Sequence, residues 1–383
     1  MGSVTNTKMS KEKKRKIFKP YDFENCNSIG KYQKIAKVGQ GTYGEVFKAQ
    51  EKSDRSIIVA LKKILMDNEV EGMPVTAFRE VTILKYLKHE NIVRLIEVVR
   101  SPPMPGNNNK SIHRCFYLAL EYCEHDLAGL LSAKHVRFQV GDIKKVLYQL
   151  LDGVHYLHVN KLMHRDLKPA NILINKKGVL KITDFGLARP YRVKDNGEPN
   201  TYTNRVVTLW YRPPELLLGE RNYGPEIDMW SIGCILAEMW TRTPILPGKS
   251  EQAQLNFISY LCGAITPVVW PGVSNLPLYD SIELSKIHRR RVVERLQPYI
   301  KDRYACDMLD KLLVLDPKKR IDANEALDHD FFWRGEELSD LKLLMSKFNQ
   351  SLFQWTALQR HQILQKAQLT AVPKKDCYEE RIY

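Results

Sequence analysis

The stretch that most constrains this chain is His164-Arg165-Asp166-Leu167-Lys168-Pro169-Ala170-Asn171, followed after a short expected hairpin by Asp184-Phe185-Gly186. In quick succession it sets a carboxylate, an ammonium and a carboxamide, with a second carboxylate beyond the hairpin. Upstream, Ile143–His158 carries apolar residues at Val146, Leu147, Leu150, Leu151, Val154 and Leu157, the spacing of a helix with one buried face. The polar run therefore follows a core helix.

The chain before that helix has a different period. Tyr32–Val38, Glu45–Gln50, Ile57–Ile64 and Cys115–Leu120 read as short strands, interrupted by a helical stretch at Thr76–Leu87 with Pro74 near its start. Ser101 to Asn109 is dense in turn formers and reads as a loop. A strand-rich part followed by a helix-rich part predicts an α+β fold of two lobes with a cleft between them. The expected division is a leader at 1–31, a two-lobed domain at 32–332 and an extension at 333–383. Within the domain, the small lobe covers about 32–120, a linker 121–123 and the large lobe about 124–332.

At 383 residues, with 44% hydrophobic and 27% charged residues, the composition argues against wholesale disorder and against a membrane protein. The longest near-apolar stretch, Trp230 to Trp240, includes Glu238, is too short to span a bilayer and reads as a buried helix. The N-terminus shows no hydrophobic signal segment. Seven scattered cysteines without a CxxC pair fit a reducing compartment rather than a disulfide framework or zinc site. The net charge of +15 is partly concentrated in Lys11-Glu12-Lys13-Lys14-Arg15-Lys16, which reads as a nuclear-import signal, a nucleic-acid contact or a solvated tail. Nothing resembles a dedicated nucleic-acid module, so no sequence-specific nucleic-acid binding is expected.

Gly39-Gln40-Gly41-Thr42-Tyr43-Gly44-Glu45-Val46 is a G-x-G-x-x-G-x-V stretch whose glycines let the backbone approach phosphate oxygens. A strand follows it rather than a helix, which favours a hairpin over ATP and not a dinucleotide-binding turn. Lys62 ends the next strand, and Glu80 on the following helix is the carboxylate that can hold it toward the α- and β-phosphates. Asp166 is placed to accept or orient a substrate hydroxyl, and Lys168 to neutralise charge on the transferred phosphoryl group. Asn171 and Asp184 offer oxygen ligands to Mg²⁺.

Taken in this order, these motifs resemble the eukaryotic protein kinases from about Tyr32 to Phe332. Pro74-Val75-Thr76-Ala77-Phe78-Arg79-Glu80 is similar to the signature helix of the cyclin-dependent kinase family, in the PITALRE form of its transcription elongation branch. Pro213, ahead of Pro214-Glu215, also matches the transcriptional branch. Glu124 to Leu131, Asp330-Phe331-Phe332-Trp333 and, loosely, the C-terminal tail are similar to it too. Four positions depart from that branch: the catalytic segment keeps Leu167 and Pro169, Leu120 replaces a Phe at the back of the ATP pocket, and Tyr43 replaces a Phe. Thr42-Tyr43 thereby becomes a candidate inhibitory phosphorylation pair.

The resemblance implies ATP and Mg²⁺ between the lobes. Val38, Val46, Ala60, Leu120 and Leu173 would join the glycine loop around the nucleotide. The purine would lie on the backbone of Glu121, Tyr122 and Cys123, and Asp126 would meet the ribose. It implies activation by phosphate on Thr203, read by Arg79, Arg165 and Arg189, whose guanidinium forks suit a dianion. A cyclin, T-type by resemblance, would press on the signature helix, with Met73, Val75 and Phe78 as contacts or core residues. Val206-Val207 and Arg212 resemble a site that prefers proline after the phosphorylated residue. The implied substrates are the RNA polymerase II C-terminal repeats and elongation factors, and the implied location is the nucleus. Lys168 and Thr208 resemble Ser/Thr rather than tyrosine kinases. The competing readings are another transcriptional or cell-cycle cyclin-dependent kinase, a kinase-fold scaffold and a charge-driven nucleic-acid binder. The presence of Lys62, Asp166 and Asp184 speaks against the scaffold.

Overall fold

The computed structural model describes residues 26–41, 44–64, 75–102, 104–105, 112–113, 115–191 and 200–353. Alternation decides the small lobe. In β3 (Ile58–Lys63), Val59 and Leu61 are fully buried, and period two turns Ala60 and Lys62 to the opposite face. Val59 and Leu61 join Tyr32, Ala49, Val99, Tyr117 and Ala119 in a small core on one side of the sheet. The other side, carrying Lys62, faces the cleft.

The sheet has six strands. An edge at Asn27–Ser28 is followed in space by β4 (Leu95–Arg100), β5 (Phe116–Glu121), β3, β2 (Gly44–Glu51) and β1 (Tyr32–Gly41). The edge pairs parallel to β4 and the rest are antiparallel. β1 and β2 close through Gly41 opposite Gly44, and Gly44 has φ +134°, a conformation that favours glycine. Within the loop after β4, Met104–Pro105 pairs with Ile112–His113, a short ladder where a plain loop was expected. The α1 helix (Val75–Tyr86) lies within a residue of its expected bounds, whereas Met73 and Pro74 fall outside the described residues.

The large lobe is built on α3 (Val140–Val159) and α4 (Glu226–Thr241). The α4 helix is buried nearly all round, from Ile227 to Met239, with Trp230 completely enclosed. A helix apolar on every side must sit at the centre of a lobe. A hairpin of β6 (Ile172–Ile174) and β7 (Leu180–Ile182) pairs with His125–Asp126 and places Asn171 and Asp184 at its two ends. No helix among the described residues is long and apolar enough to cross a membrane.

Residues 333–353 lie against this lobe. Lys144 donates to the carbonyls of Arg334 and Glu336, and Leu341, Leu344 and Met345 are buried. Gly178, at φ +79°, meets the backbone there: a Cβ would come within 2.5 Å of the Lys342 nitrogen. The segment then runs to the cleft, where the backbone of Leu352 pairs with His125.

Candidate active site

Opposite charges compete for few positions in the cleft. Lys62 Nζ lies 2.7 Å and 3.0 Å from the two Glu80 oxygens and 2.9 Å from Asp184 Oδ1. Burial alone would depress the Lys62 ammonium; the Asp184 and Glu80 carboxylates outweigh it and raise the pKa above the ordinary lysine range. Burial likewise favours protonation of Asp184, but Lys62 holds it ionised, below the usual carboxylate range. Glu80 is pushed up by burial and by Asp184, against the pull of Lys62. In this structure the Lys62–Glu80 pair is closed.

Asp166 is fully engaged. Its Oδ1 accepts from the Thr208 amide at 3.1 Å and hydroxyl at 2.9 Å; its Oδ2 accepts from Lys168 Nζ at 2.7 Å and Asn171 Nδ2 at 3.1 Å. Asn171 Nδ2 also donates to the Asp166 carbonyl, which leaves the amide oxygen as the end able to meet a cation.

The loop is held from below. Arg165 and Asp184 have φ +68° and +67°, left-handed values that cost non-glycine residues about 1–3 kcal/mol each. Asp228 on α4 holds the first of these in place: its oxygens accept the backbone N–H groups of His164 and Arg165 at 2.9 Å and meet His158 Nε2 at 3.0 Å. Burial would raise Asp228, but these hydrogen bonds outweigh it and hold the carboxyl below its usual range. His164 accepts from the Asp166 amide through Nδ1, so its Nε2–H donates to the Thr183 carbonyl, linking the two loops. A second buried carboxylate, Glu215, takes both arms of Arg320 at 2.7 and 3.0 Å. Sequence reasoning assigns no role to Asp228 or to the Glu215–Arg320 pair, because their partners are distant along the chain.

A cavity of about 520 Å³ opens between the lobes. Among the expected residues, Val38, Gly39, Gln40, Gly44, Val46, Ala60, Lys62, Leu120, Glu121, Tyr122, Cys123, Asp126, Asp166, Lys168, Asn171, Leu173 and Asp184 line it. Glu45 pairs with Lys37 at 2.6 Å. Thr42 and Tyr43 lie outside the described residues. Asp126 also caps α2 (Leu127–Ser132) by accepting the Gly129 amide. Burial raises the Cys123 thiol, which stays un-ionised.

Phe353 lines the cavity as well, and sequence reasoning missed it. The Tyr122 and Ser351 hydroxyls meet at 3.0 Å, and Phe348 packs edge-on to His125 and His135. His125 Nδ1 accepts the Leu352 amide, and burial lowers its pKa to about 4, so the ring is neutral. The available signal was Leu341, Leu344, Met345, Phe348 and Phe353: apolar residues at helical and then aromatic spacing in a polar tail.

Thr203 is exposed. The Tyr223 hydroxyl donates to its carbonyl at 2.6 Å and accepts from Arg165 Nη1 at 2.8 Å, so Arg165 and Thr203 share one partner. Arg79 stands on α1, which packs on the turn of Phe185–Leu187, and Arg189 is half-buried in a strand paired with Met163. Further along, Val207 has φ +66°, a strained value for a β-branched residue. Arg212 fixes it: Nε donates to the carbonyls of Val206 and Val207, and Nη2 to that of Val207.

A family model described as a protein kinase domain matches residues 32–332. Cyclin-dependent kinase 9 of Xenopus tropicalis is 56% identical over 345 residues, 89% of this chain and 91% of that protein. The chain belongs to the cyclin-dependent kinase family. Cyclin-dependent kinase 9 of Homo sapiens is 56% identical over 332 residues, covering 87% of this kinase and 88% of the relative. A chain in the crystal structure of the yeast RNA Pol II CTD kinase CTDK-1 complex superposes with a TM-score of 0.70 at 36% identity, covering 81% of this kinase and 95% of that chain. This kinase is therefore a Ser/Thr protein kinase of the two-lobed fold that works with a cyclin on protein substrates, and the family uses ATP and Mg²⁺ in general.

Proposed function

We propose that this kinase, held by a T-type cyclin, phosphorylates Ser or Thr followed by proline in the RNA polymerase II C-terminal repeats and in elongation factors, in the nucleus. The observation that carries the proline preference is the Val207 carbonyl. Arg212 already occupies it, so a substrate N–H arriving there would find no acceptor, and proline has no N–H to satisfy. The likeness to cyclin-dependent kinase 9 and to the yeast RNA Pol II CTD kinase supports the polymerase substrate.

In this reading Asp166 receives the substrate hydroxyl proton, and Lys168 and Lys62 neutralise phosphate charge. The cavity walls around Ala60, Leu120 and Leu173 suit a flat apolar ring, and the backbone of residues 121–123 its polar edge. Asn171 and Asp184 would hold Mg²⁺, which supplies charge neutralisation at the phosphates. The division into leader, kinase domain and extension belongs to the same reading, as does recognition of a phosphate on Thr203 by Arg79, Arg165 and Arg189. The cyclin's task is then to hold the closed Lys62–Glu80 pair.

The test is turnover of a repeat peptide by the full chain with and without cyclin, followed by a peptide library varied after the phosphorylated residue. Cyclin-dependent, proline-directed turnover is expected. Full activity without cyclin, or no proline preference, overturns the reading.

A further inference from the structure

The α5 helix (Glu251–Cys262) and α6 (Val292–Leu296) build a second cationic site away from the cleft. Tyr260, on the solvent face of α5, is flanked by two guanidinium groups and an imidazole. The Arg295 guanidinium lies 4.5 Å from its ring centroid, Arg291 lies 5.8 Å away, and the His288 ring meets it edge-on at 5.7 Å. The segment that carries them is pinned rather than loose: Ala264 N–H donates to the His288 carbonyl at 2.8 Å, and Arg291 N–H to the Leu261 carbonyl at 2.9 Å.

Charge balance differs sharply within this run. Arg289 is paired with Glu294 at 2.9 Å and Arg290 with Asp310 at 2.8 Å. Among the described residues, neither Arg291 nor Arg295 has a carboxylate within ion-pair distance. They stand four positions apart and converge on one ring, so that their like charges are met by the Tyr260 π face but by no carboxylate of the described chain. Two guanidinium forks beside an imidazole and a phenol match a phosphomonoester dianion in charge and donor number. The surroundings suit a peptide: Phe257 shares the face of Tyr260 and is 42% exposed, and Ile287 is 88% exposed. A nucleic acid needs a continuous cationic track, which the pairing of Arg289 and Arg290 interrupts.

We propose that Tyr260, His288, Arg291 and Arg295 form a phosphoserine docking site that retains an already phosphorylated stretch of substrate while the cleft works on another serine of the same chain. This rests on the reading of the substrate as a repeated Ser/Thr-Pro sequence, whose product is the ligand the site would take.

The experiment uses the kinase–cyclin complex and two-repeat peptides with and without one phosphoserine. Wild type should show a lower KM for the phosphorylated peptide. Arg291→Ala/Arg295→Ala should raise that KM about fivefold, the loss of roughly 1 kcal/mol of charge-assisted bonding, and leave kcat and turnover of a single unphosphorylated repeat unchanged. Arg291→Lys/Arg295→Lys should fall between. Equal KM for both peptides in wild type, or no change in the double alanine variant, overturns the site. So does a single-stranded RNA of equal charge that competes as well as the phosphopeptide. If the single repeat is not turned over at all, the substrate reading fails. Fluorescence anisotropy with a labelled phosphoserine peptide on the same complexes then decides the site independently: binding lost in the alanine variant supports it, and no binding to wild type overturns it.

Discussion

The catalytic loop and the activation segment are neighbours held in opposite ways. The loop around Asp166 rests on Asp228, a buried carboxylate with three donors, and its own polar groups are satisfied by Lys168, Asn171 and Thr208. At Thr203 the chain is exposed and held through its carbonyl by one tyrosine hydroxyl, with Arg165 on the other side of that hydroxyl. The first region carries its stabilising charges inside the fold. The second is reached by one cation, Arg165, through the Tyr223 hydroxyl, and in the proposed reading a phosphate on Thr203 would draw on it. Chemistry is thus built in, and under the proposed function control would rest on a charge that can be added or removed.

The largest effect should come from the self-sufficient region. Asp166→Asn removes the proton acceptor while keeping the shape, and turnover should drop by about 10²–10⁴-fold with ATP affinity little changed. A turnover assay paired with nucleotide titration checks this; a variant within tenfold of wild type would show that Asp166 is not the acceptor. Asp228→Ala attacks the support instead. It leaves the loop amides of His164 and Arg165 without an acceptor, and should lower stability by about 3–5 kcal/mol in urea unfolding. Because Asp228 is a positioning residue, Asp228→Asn should restore part of the stability and the activity together, an outcome that a residue touching substrate would not give.

Thr203→Ala should cost less. A phosphate there would add a small number of charge-assisted bonds, so the cyclin-bound variant should lose about 10- to 100-fold in activity and almost nothing in melting temperature. The comparison breaks if Thr203→Ala melts as early as Asp228→Ala, since the activation segment would then be part of the fixed frame.

How much of this was legible beforehand follows the same divide. Lys62, Asp166, Asn171 and Asp184 sit in local strings whose residue types betray their chemistry, and the change of period from strands to helices marks the two lobes. Asp228, Arg320 and Phe353 were not legible. Asp228 looks like any acidic residue in the first turn of a helix, and its meaning appears when α4 packs under a loop distant in sequence. Phe353 belongs to a polar tail whose few apolar residues make sense once Lys144 and Gly178 are seen to receive its backbone. Local chemistry is written locally, whereas long-range support is fixed by packing.

The smallest effect sharpens the comparison within α4 itself, because that helix carries a second buried carboxylate with a poorer supply of donors. Glu238 accepts from the Tyr211 hydroxyl at 2.7 Å, and burial pushes its pKa up to about 7. Tyr211 lies at the end of the activation segment, so this bond ties that end to the frame. The signs of the two carboxylates are opposite. Asp228, depressed, contributes stability that is present above the ordinary carboxylate pKa and lost in acid. Glu238, raised, contributes stability that is full below the ordinary glutamate pKa and lost as pH climbs through about 7. Glu238→Gln puts an amide of the same shape in place of the carboxyl and removes the titration. Between pH 5.5 and 8 wild type should lose on the order of 1 kcal/mol relative to this variant, below the upper bound of about 2 kcal/mol that the shift allows within this window. Urea midpoints of the two proteins at both pH values measure the difference directly. Parallel pH profiles would mean that Glu238 titrates normally and that the frame beneath the activation segment is insensitive to pH.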